Sequence, residues 1–276
     1  MEVTVPACII PETPPPPFRF YIIFHKYLTK VAYEKVFSQY LEKYCRFIGV
    51  NGAIQKHVDP CFYPLLFQET HLPNYDPFLQ HNKFCESSVF IHTMKNAQLL
   101  LEPYGFVGFL QYDMVLDNIL FQTIEYALAN IANPEKKLFF HYSENCARHL
   151  LQGIDRPGWS LIIELYNKMF STQHTLDGVL IYDIPLYHTY LVPKEIFKKM
   201  MMFADKSIPR IFEMLGLNTQ HLPYHIERSH GIFLVLQTLD KHIDGWIKLP
   251  GIEHRNDLRD PWQEIENAKH ASTATT

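Results

Sequence analysis

The stretch Phe106-Val107-Gly108-Phe109-Leu110-Gln111-Tyr112-Asp113-Met114 decides how this chain reads. Its continuous apolar run, Phe106 to Leu110, predicts a strand covered on both faces, as in the middle of an α/β sheet. The run stops at Gln111, Tyr112 and Asp113, so polar groups stand at the strand's carboxyl end. In open α/β sheets, ligands sit in the crevice beyond those ends. Asp113 is therefore a candidate site residue, with Asp117 close by in sequence. A hard cation such as Mn²⁺ or Mg²⁺ takes oxygen ligands, typically one or two carboxylates together with phosphate oxygens. The plainer reading is that Asp113 ends a strand or caps the helix that follows.

Working outward, residues 18–24 form an aromatic and β-branched run that predicts a strand. Residues 29–43 predict an amphipathic helix, and 45–50 a second strand closed by the turn pair Asn51-Gly52. Residues 59–81 are Pro-rich and irregular, and 86–96 predict a helix with Phe84, Val89, Phe90 and Met94 toward one face. Past Asp113, helices are predicted over 117–132, 159–170, 193–215 and 225–239, with strands over 137–141 and 187–192. Strands alternating with helices, and no linker between them, predict an α/β fold with a central mixed sheet flanked by helices. The expected organisation is a Pro-rich segment at 1–17, one domain over 18–256, and a polar tail at 257–276.

Composition narrows the classes. Of 276 residues, 47% are hydrophobic and 20% charged, which excludes intrinsic disorder. A net charge of -4 argues against a nucleic-acid polymer as partner, since such proteins carry a basic excess. Only 11 glycines are present, with no Gly-x-Gly-x-x-Gly, no Walker-type loop and no Gly-x-Ser-x-Gly elbow. The five cysteines are scattered without a CxxC pair, which predicts reduced thiols and a cytoplasmic setting. No apolar run approaches the ~18 residues of a membrane span, and the first residues lack the features of a secretory signal. The 15 histidines include no HExxH pattern and no compact ligand triad.

A second cluster lies in His225-Ile226-Glu227-Arg228-Ser229-His230-Gly231, directly before the apolar Ile232–236 run. Charged side chains entering an apolar helix are costly to bury unpaired. The cluster is therefore either a solvated helix N-terminus or the lining of a pocket.

The quoted strand resembles the one in GT-A glycosyltransferases that ends in an Asp-x-Asp metal motif. Only the second acid is kept here, and Gln111 stands where the first would be. Four blocks in order further resemble a family of polysaccharide-building glycosyltransferases over about residues 18–240. They are Phe24-His25-Lys26 after the first strand; Asn82-x-x-x-Glu86 with Lys95-Asn96; Val107 to Tyr112; and Glu227-Arg228. That family continues the third block with two arginines, where this chain has Asp113-Met114, closer to a metal-binding site. A looser likeness is to glycosyltransferases of large algal viruses.

The resemblance implies a GT-A-like, Rossmann-like fold. It also implies a nucleotide-sugar donor (UDP-sugar first), a glycan or glycoprotein hydroxyl as acceptor, and Mn²⁺ or Mg²⁺. Asp113 would hold the metal, joined by His254 or its rival His230. Glu227 would act as general base in an inverting enzyme, or would accept a hydrogen bond from the donor sugar in a retaining one. His25, Lys26, Glu86, Gln111, Tyr112 and Arg228 would line the nucleotide-sugar site, with Lys26 or Arg228 on the diphosphate and Tyr112 or Trp159 stacking on base or sugar. The viral likeness adds a pentose such as xylose and the host cytoplasm. The missing first acid also fits a catalytically inactive carbohydrate- or protein-binding module on this fold. The Asp and His residues fit a metal-dependent hydrolase or phosphotransferase as well.

Overall fold

In the computed structural model, described for residues 15–25, 27–50, 57–79, 84–151, 156–216 and 221–255, the quoted run is the middle strand of seven. In chain order the first strands are β1 (Phe18–Phe24), β2 (Tyr27–Leu28), β3 (Cys45–Gly49), β4 (His57–Val58), β5 (Leu66–Gln68), β6 (Phe106–Gln111) and β7 (Met114–Leu116). The later ones are β8 (Lys137–Phe140), β9 (Ser143–Asn145), β10 (Asp183–Pro185), β11 (Tyr190–Pro193), β12 (Gly245–Lys248) and β13 (Ile252–His254). The helices are α1 (Ser38–Tyr44), α2 (Ser87–Lys95), α3 (Ala97–Leu100), α4 (Asn118–Asn130) and α5 (Cys146–Leu151). They continue with α6 (Arg156–Phe170), α7 (Leu176–Leu180), α8 (Lys194–Leu215) and α9 (Leu222–Leu239).

The main sheet runs β12-β8-β11-β6-β1-β3-β5. β6 pairs in parallel with β1, from Phe18 opposite Phe106 to Ile23 opposite Gln111. β3 and β5 continue in parallel on that side. β11 is the one reversed strand of the seven, antiparallel to both β6 and β8. The mixed α/β architecture expected from the sequence is the one this chain adopts. The carboxyl ends of six strands and the amino end of β11 consequently share one rim.

Burial explains the apolar runs. Every residue of β1, and Phe106 to Leu110 of β6, is buried. Alternate side chains serve opposite layers. Phe18, Phe20, Ile22 and Phe24 join Leu41 and Tyr44 of α1 and Leu120, Phe121 and Ile124 of α4. Tyr21, Ile23, Val107 and Phe109 join apolar residues of α2, α6, α8 and α9 on the other face. A strand between two helical layers cannot alternate polar and apolar residues, because both its faces are dry.

Several elements differ from expectation, each for a local reason. The helix expected over 29–43 is a 3-10 turn at Lys30–Tyr33 followed by α1 at Ser38–Tyr44. Between them Lys35 bridges to Asp117, and the Phe37 N–H donates to Asn118 Oδ1, which hold the chain extended against the start of α4. The strand expected over 187–192 starts only at Tyr190, because Tyr187 and His188 adopt left-handed φ values of 60° and 50°. α9 starts at Leu222 with Pro223 in its first turn, so Glu227 lies inside the helix and not at its first residues. The Pro-rich region contains edge strand β5, and two further strands, β12 and β13, follow α9. Among the described residues, no helix is long and apolar enough to cross a membrane.

Candidate active site

Asp113 leaves β6 at the shared rim and is 1% exposed. It is completed by a segment far along the chain. β13 returns antiparallel to β7, with His254 opposite Met114, and the Arg255 N–H donates to the Asp113 carbonyl oxygen. This register puts His254 Nε2 3.0 Å from Asp113 Oδ2. The approach depends on Gly251, whose φ is +69°. A Cβ there would stand 2.4 Å from Ile119 Cγ2 and 3.1 Å from the Leu120 nitrogen at the start of α4. Its carbonyl receives the Asp117 N–H at 2.9 Å, which fixes the strand beside the rim. Asp117 itself is occupied elsewhere. Its carboxylate accepts from the Ile119 N–H and caps α4, the role that the sequence left open for Asp113.

The opposite side of the site is carried by α9. The Tyr187 N–H donates to Glu227 Oε1 at 3.3 Å, and the Tyr187 carbonyl accepts from Gln111 Nε2 at 3.2 Å. The Tyr187 ring lies parallel to the His254 imidazole at 6.0 Å and against Tyr142 at 5.1 Å. One residue therefore touches both the Asp113 side and the Glu227 side. Burial pushes the Glu227 carboxyl pKa up; Arg228 and the Tyr187 N–H pull it down, and the Glu86 charge pushes it up again. A carboxylate raised by burial is suited to taking a proton from a hydroxyl near neutral pH. Arg228 folds back on its own helix: Nη1 donates to the Tyr224 carbonyl and the guanidinium lies 5.4 Å from the Tyr224 ring centre. Burial holds its pKa below the usual guanidinium value, against the pull of Glu227.

The remaining expected residues divide. His25, at the end of β1, packs edge-on to Tyr112 at 5.1 Å, so these two share the rim. Glu86 stands at the N-cap of α2 and acts on Glu227 through its charge. Lys26 and Asn82 lie outside the described residues, as do the first residues of the Pro-rich segment and the tail. Trp159 is not available to stack on a ligand: it is 1% exposed, inside the layer formed by α6, α8 and α9. His230 is not a rival ligand beside Asp113, because it is fully buried with Nδ1 3.1 Å from His188 Nε2. Sequence reasoning missed Tyr187, His188, Tyr142 and Glu144, whose carboxylate accepts from the Tyr142 hydroxyl at 2.9 Å. The available signal was two consecutive left-handed residues, and those have no signature in a Leu-Tyr-His-Thr string.

The donor set can be tested against a divalent cation. Among the described residues there is no group of three or more His, Cys, Asp or Glu that could hold a metal ion. Among the described residues, Asp113 and His254 are the candidate pair of ligands at this rim. On an octahedral ion with bonds of ~2.1 Å, neighbouring ligand atoms stand ~3.0 Å apart. Asp113 Oδ2 and His254 Nε2, at 3.0 Å, are spaced for two such positions and hydrogen-bond each other at the same distance otherwise. An oxygen-nitrogen pair that leaves the other positions to phosphate oxygens and water fits Mn²⁺, and fits Mg²⁺ less well because that ion takes oxygen ligands.

No family model matches the chain, and no curated protein is similar to it at a significant level. A solved structure that it resembles is mouse xyloside xylosyltransferase 1 in the apo form. The two are 12% identical with a TM-score of 0.39, and the likeness covers 85% of each chain. A likeness that distant carries no argument about site or activity.

Proposed function

We propose that this chain is a glycosyltransferase of the GT-A kind, moving a sugar from a nucleotide-sugar donor to a hydroxyl of a glycan with the help of a divalent cation. The observation that carries the reading is the Asp113–His254 pair, held at 3.0 Å on the ligand-facing rim of the central strand. The sequence resemblance of that strand supports it independently. UDP-sugars are the donor class we favour, with UDP-xylose as the first to try.

In this reading Asp113 and His254 hold the cation, whose charge would stabilise the departing nucleoside diphosphate. Glu227 stands across the rim, linked to the Asp113 side through Tyr187 and Gln111. Its raised pKa suits it to remove the acceptor hydroxyl proton as that oxygen forms its bond to the anomeric carbon. His25 and Tyr112, packed together at the end of β1 and β6, form one wall for the donor. Tyr187 and Tyr142 present aromatic surface on the other side.

The experiment is calorimetric titration of UDP and UDP-xylose with and without Mn²⁺, alongside UDP release from UDP-xylose. Mn²⁺-dependent binding that Asp113→Ala abolishes is the expected result. No binding of either nucleotide in the presence of Mn²⁺ would remove the reading, and so would unchanged binding in the Ala variant.

A further inference from the structure

We infer that His188 and His230 act as a positioning latch for this site, pinning the left-handed Tyr187–His188 turn to α9 so that Tyr187 holds the Glu227 carboxylate in place relative to Asp113. The inference rests on the reading of Glu227 as the group at the acceptor hydroxyl.

Four observations carry it. Tyr187 and His188 are consecutive non-glycine residues with φ of 60° and 50°, a conformation kept only where surrounding contacts enforce it. His188 supplies the enforcing contact: its Nε2 lies 3.1 Å from His230 Nδ1, and Phe90 packs on both rings at 4.5 and 5.4 Å. The helix can come that close because residue 231 is glycine. A Cβ there would meet the Pro185 carbonyl oxygen at 2.8 Å and Ile184 Cγ1 at 2.6 Å. The turn so held presents the Tyr187 N–H to Glu227 and its carbonyl to Gln111, and that carbonyl also accepts from Thr189 Oγ1 at 2.9 Å.

Packing alone does not account for the pair. Two apolar side chains would fill the same space without the desolvation of two imidazoles. What two apolar side chains could not do is fix the direction of the contact, since a hydrogen bond specifies orientation and a packed surface does not. His230 Nε2 has no partner among the described residues, so the bond to His188 is the polar contact that this ring makes. The latch acts through the backbone of residue 187, which carries the N–H given to Glu227 and the carbonyl that accepts from Gln111.

The test uses the full chain and three variants. His230→Leu fills the space and removes the bond. His230→Asn keeps a hydrogen-bonding group near the Nδ1 position. His188→Asn tolerates the left-handed backbone and is too short to reach His230. Two readouts separate the latch from the function. Hydrogen exchange at the Tyr187 amide, which needs no activity, should speed up at least tenfold in His230→Leu and His188→Asn and stay near wild type in His230→Asn. UDP release from UDP-xylose with Mn²⁺ should show kcat falling at least tenfold in the first two variants, KM changing less than threefold, and recovery in His230→Asn. Unchanged Tyr187 exchange in both disrupting variants would overturn the latch. Altered exchange with unchanged kcat in a turnover-competent protein would overturn its role in catalysis. A wild-type chain that binds no UDP would count against the functional reading while the exchange result still decides the latch.

Discussion

Two of the carboxylate–histidine pairs in this molecule have like chemistry and opposite setting. Glu69 and His92 stand 2.6 Å apart with both side chains sealed from solvent, and Asp113 and His254 stand 3.0 Å apart with the imidazole 29% exposed. In the sealed pair the position of the shared proton is fixed. His92 Nε2 accepts the Asp76 N–H, so Nδ1 carries the proton given to Glu69. The pair ties the segment after β5 to α2, and Tyr75 stacks over His92 where an open surface depression begins. In the open pair the imidazole edge is reachable from the rim. Burial thus separates these two pairs: the sealed one can only hold two segments together, whereas the partly exposed imidazole of the other leaves room for the exchange of its partner for an ion that the proposed function requires.

The largest effect expected from breaking this contrast is at the sealed pair. His92→Leu leaves the Glu69 carboxylate enclosed without its donor, and should cost ~3–5 kcal/mol in urea unfolding. UDP and Mn²⁺ affinity of the protein that remains folded should not move; if it fell in parallel, the division between scaffold and site would be wrong. Next comes the open pair. Asp113→Ala should fold, yet lose the stabilisation expected from UDP with Mn²⁺, ~2.7 kcal/mol for a ligand at 100 times its dissociation constant. Thermal unfolding with and without the two ligands measures this, and retained stabilisation would contradict the assignment.

A third expectation concerns the histidines with no carboxylate at all. Burial drives the His230 pKa down to about 3, and burial, His230 and the Arg228 charge drive His188 well below its ordinary value. Both rings are uncharged in the fold, while in the unfolded chain they take up protons below about pH 6.5. The unfolded state then binds more protons, so stability falls as pH drops below 6.5, by ~1.4 kcal/mol per pH unit for each such histidine, and for His230 down to about pH 3. A stability-pH slope in His230→Leu that matched wild type between pH 4 and 6 would refute this.

The smallest effect has the opposite sign. Glu227 has its folded pKa raised by burial, so it contributes stability below its unfolded pKa and loses it as pH rises through the folded one. Glu227→Gln removes the half-buried charge and keeps an acceptor for the Tyr187 N–H. It should gain ~1 kcal/mol above neutral pH and lose turnover, the usual exchange at a strained site. A Gln variant with no gain in melting temperature at pH 8 would argue that Glu227 is not effectively buried.

How much of this was legible follows from the range of each signal. The sheet's middle was readable because Phe106 to Leu110 are buried on both faces, and a doubly covered strand leaves a continuous apolar run. Edge strand β5 was not, since three residues between 3-10 turns in a Pro-rich region carry no period. The sequence put Asp113 at the strand end with Asp117 close by, and left open which of them caps the next helix. The fold decides it, sending Asp113 to His254 and the Asp117 carboxylate to the Ile119 N–H at the start of α4. Trp159 looked like stacking surface because aromatic content does not say which rings are enclosed.

By itself, then, the sequence determined the strand–helix rhythm, the mixed α/β class, and the delivery of Asp113 to the carboxyl end of a central strand. These depend on periodicities spanning a few residues, and local burial writes them directly into composition. The tertiary structure alone decided between His254 and His230 as the partner of Asp113, that Tyr187 bridges Gln111 and Glu227, and that His230 faces His188 and not the rim. Such pairings are set by strand register and by how closely α9 approaches the sheet at Gly231. They depend on the simultaneous packing of segments that share no local pattern.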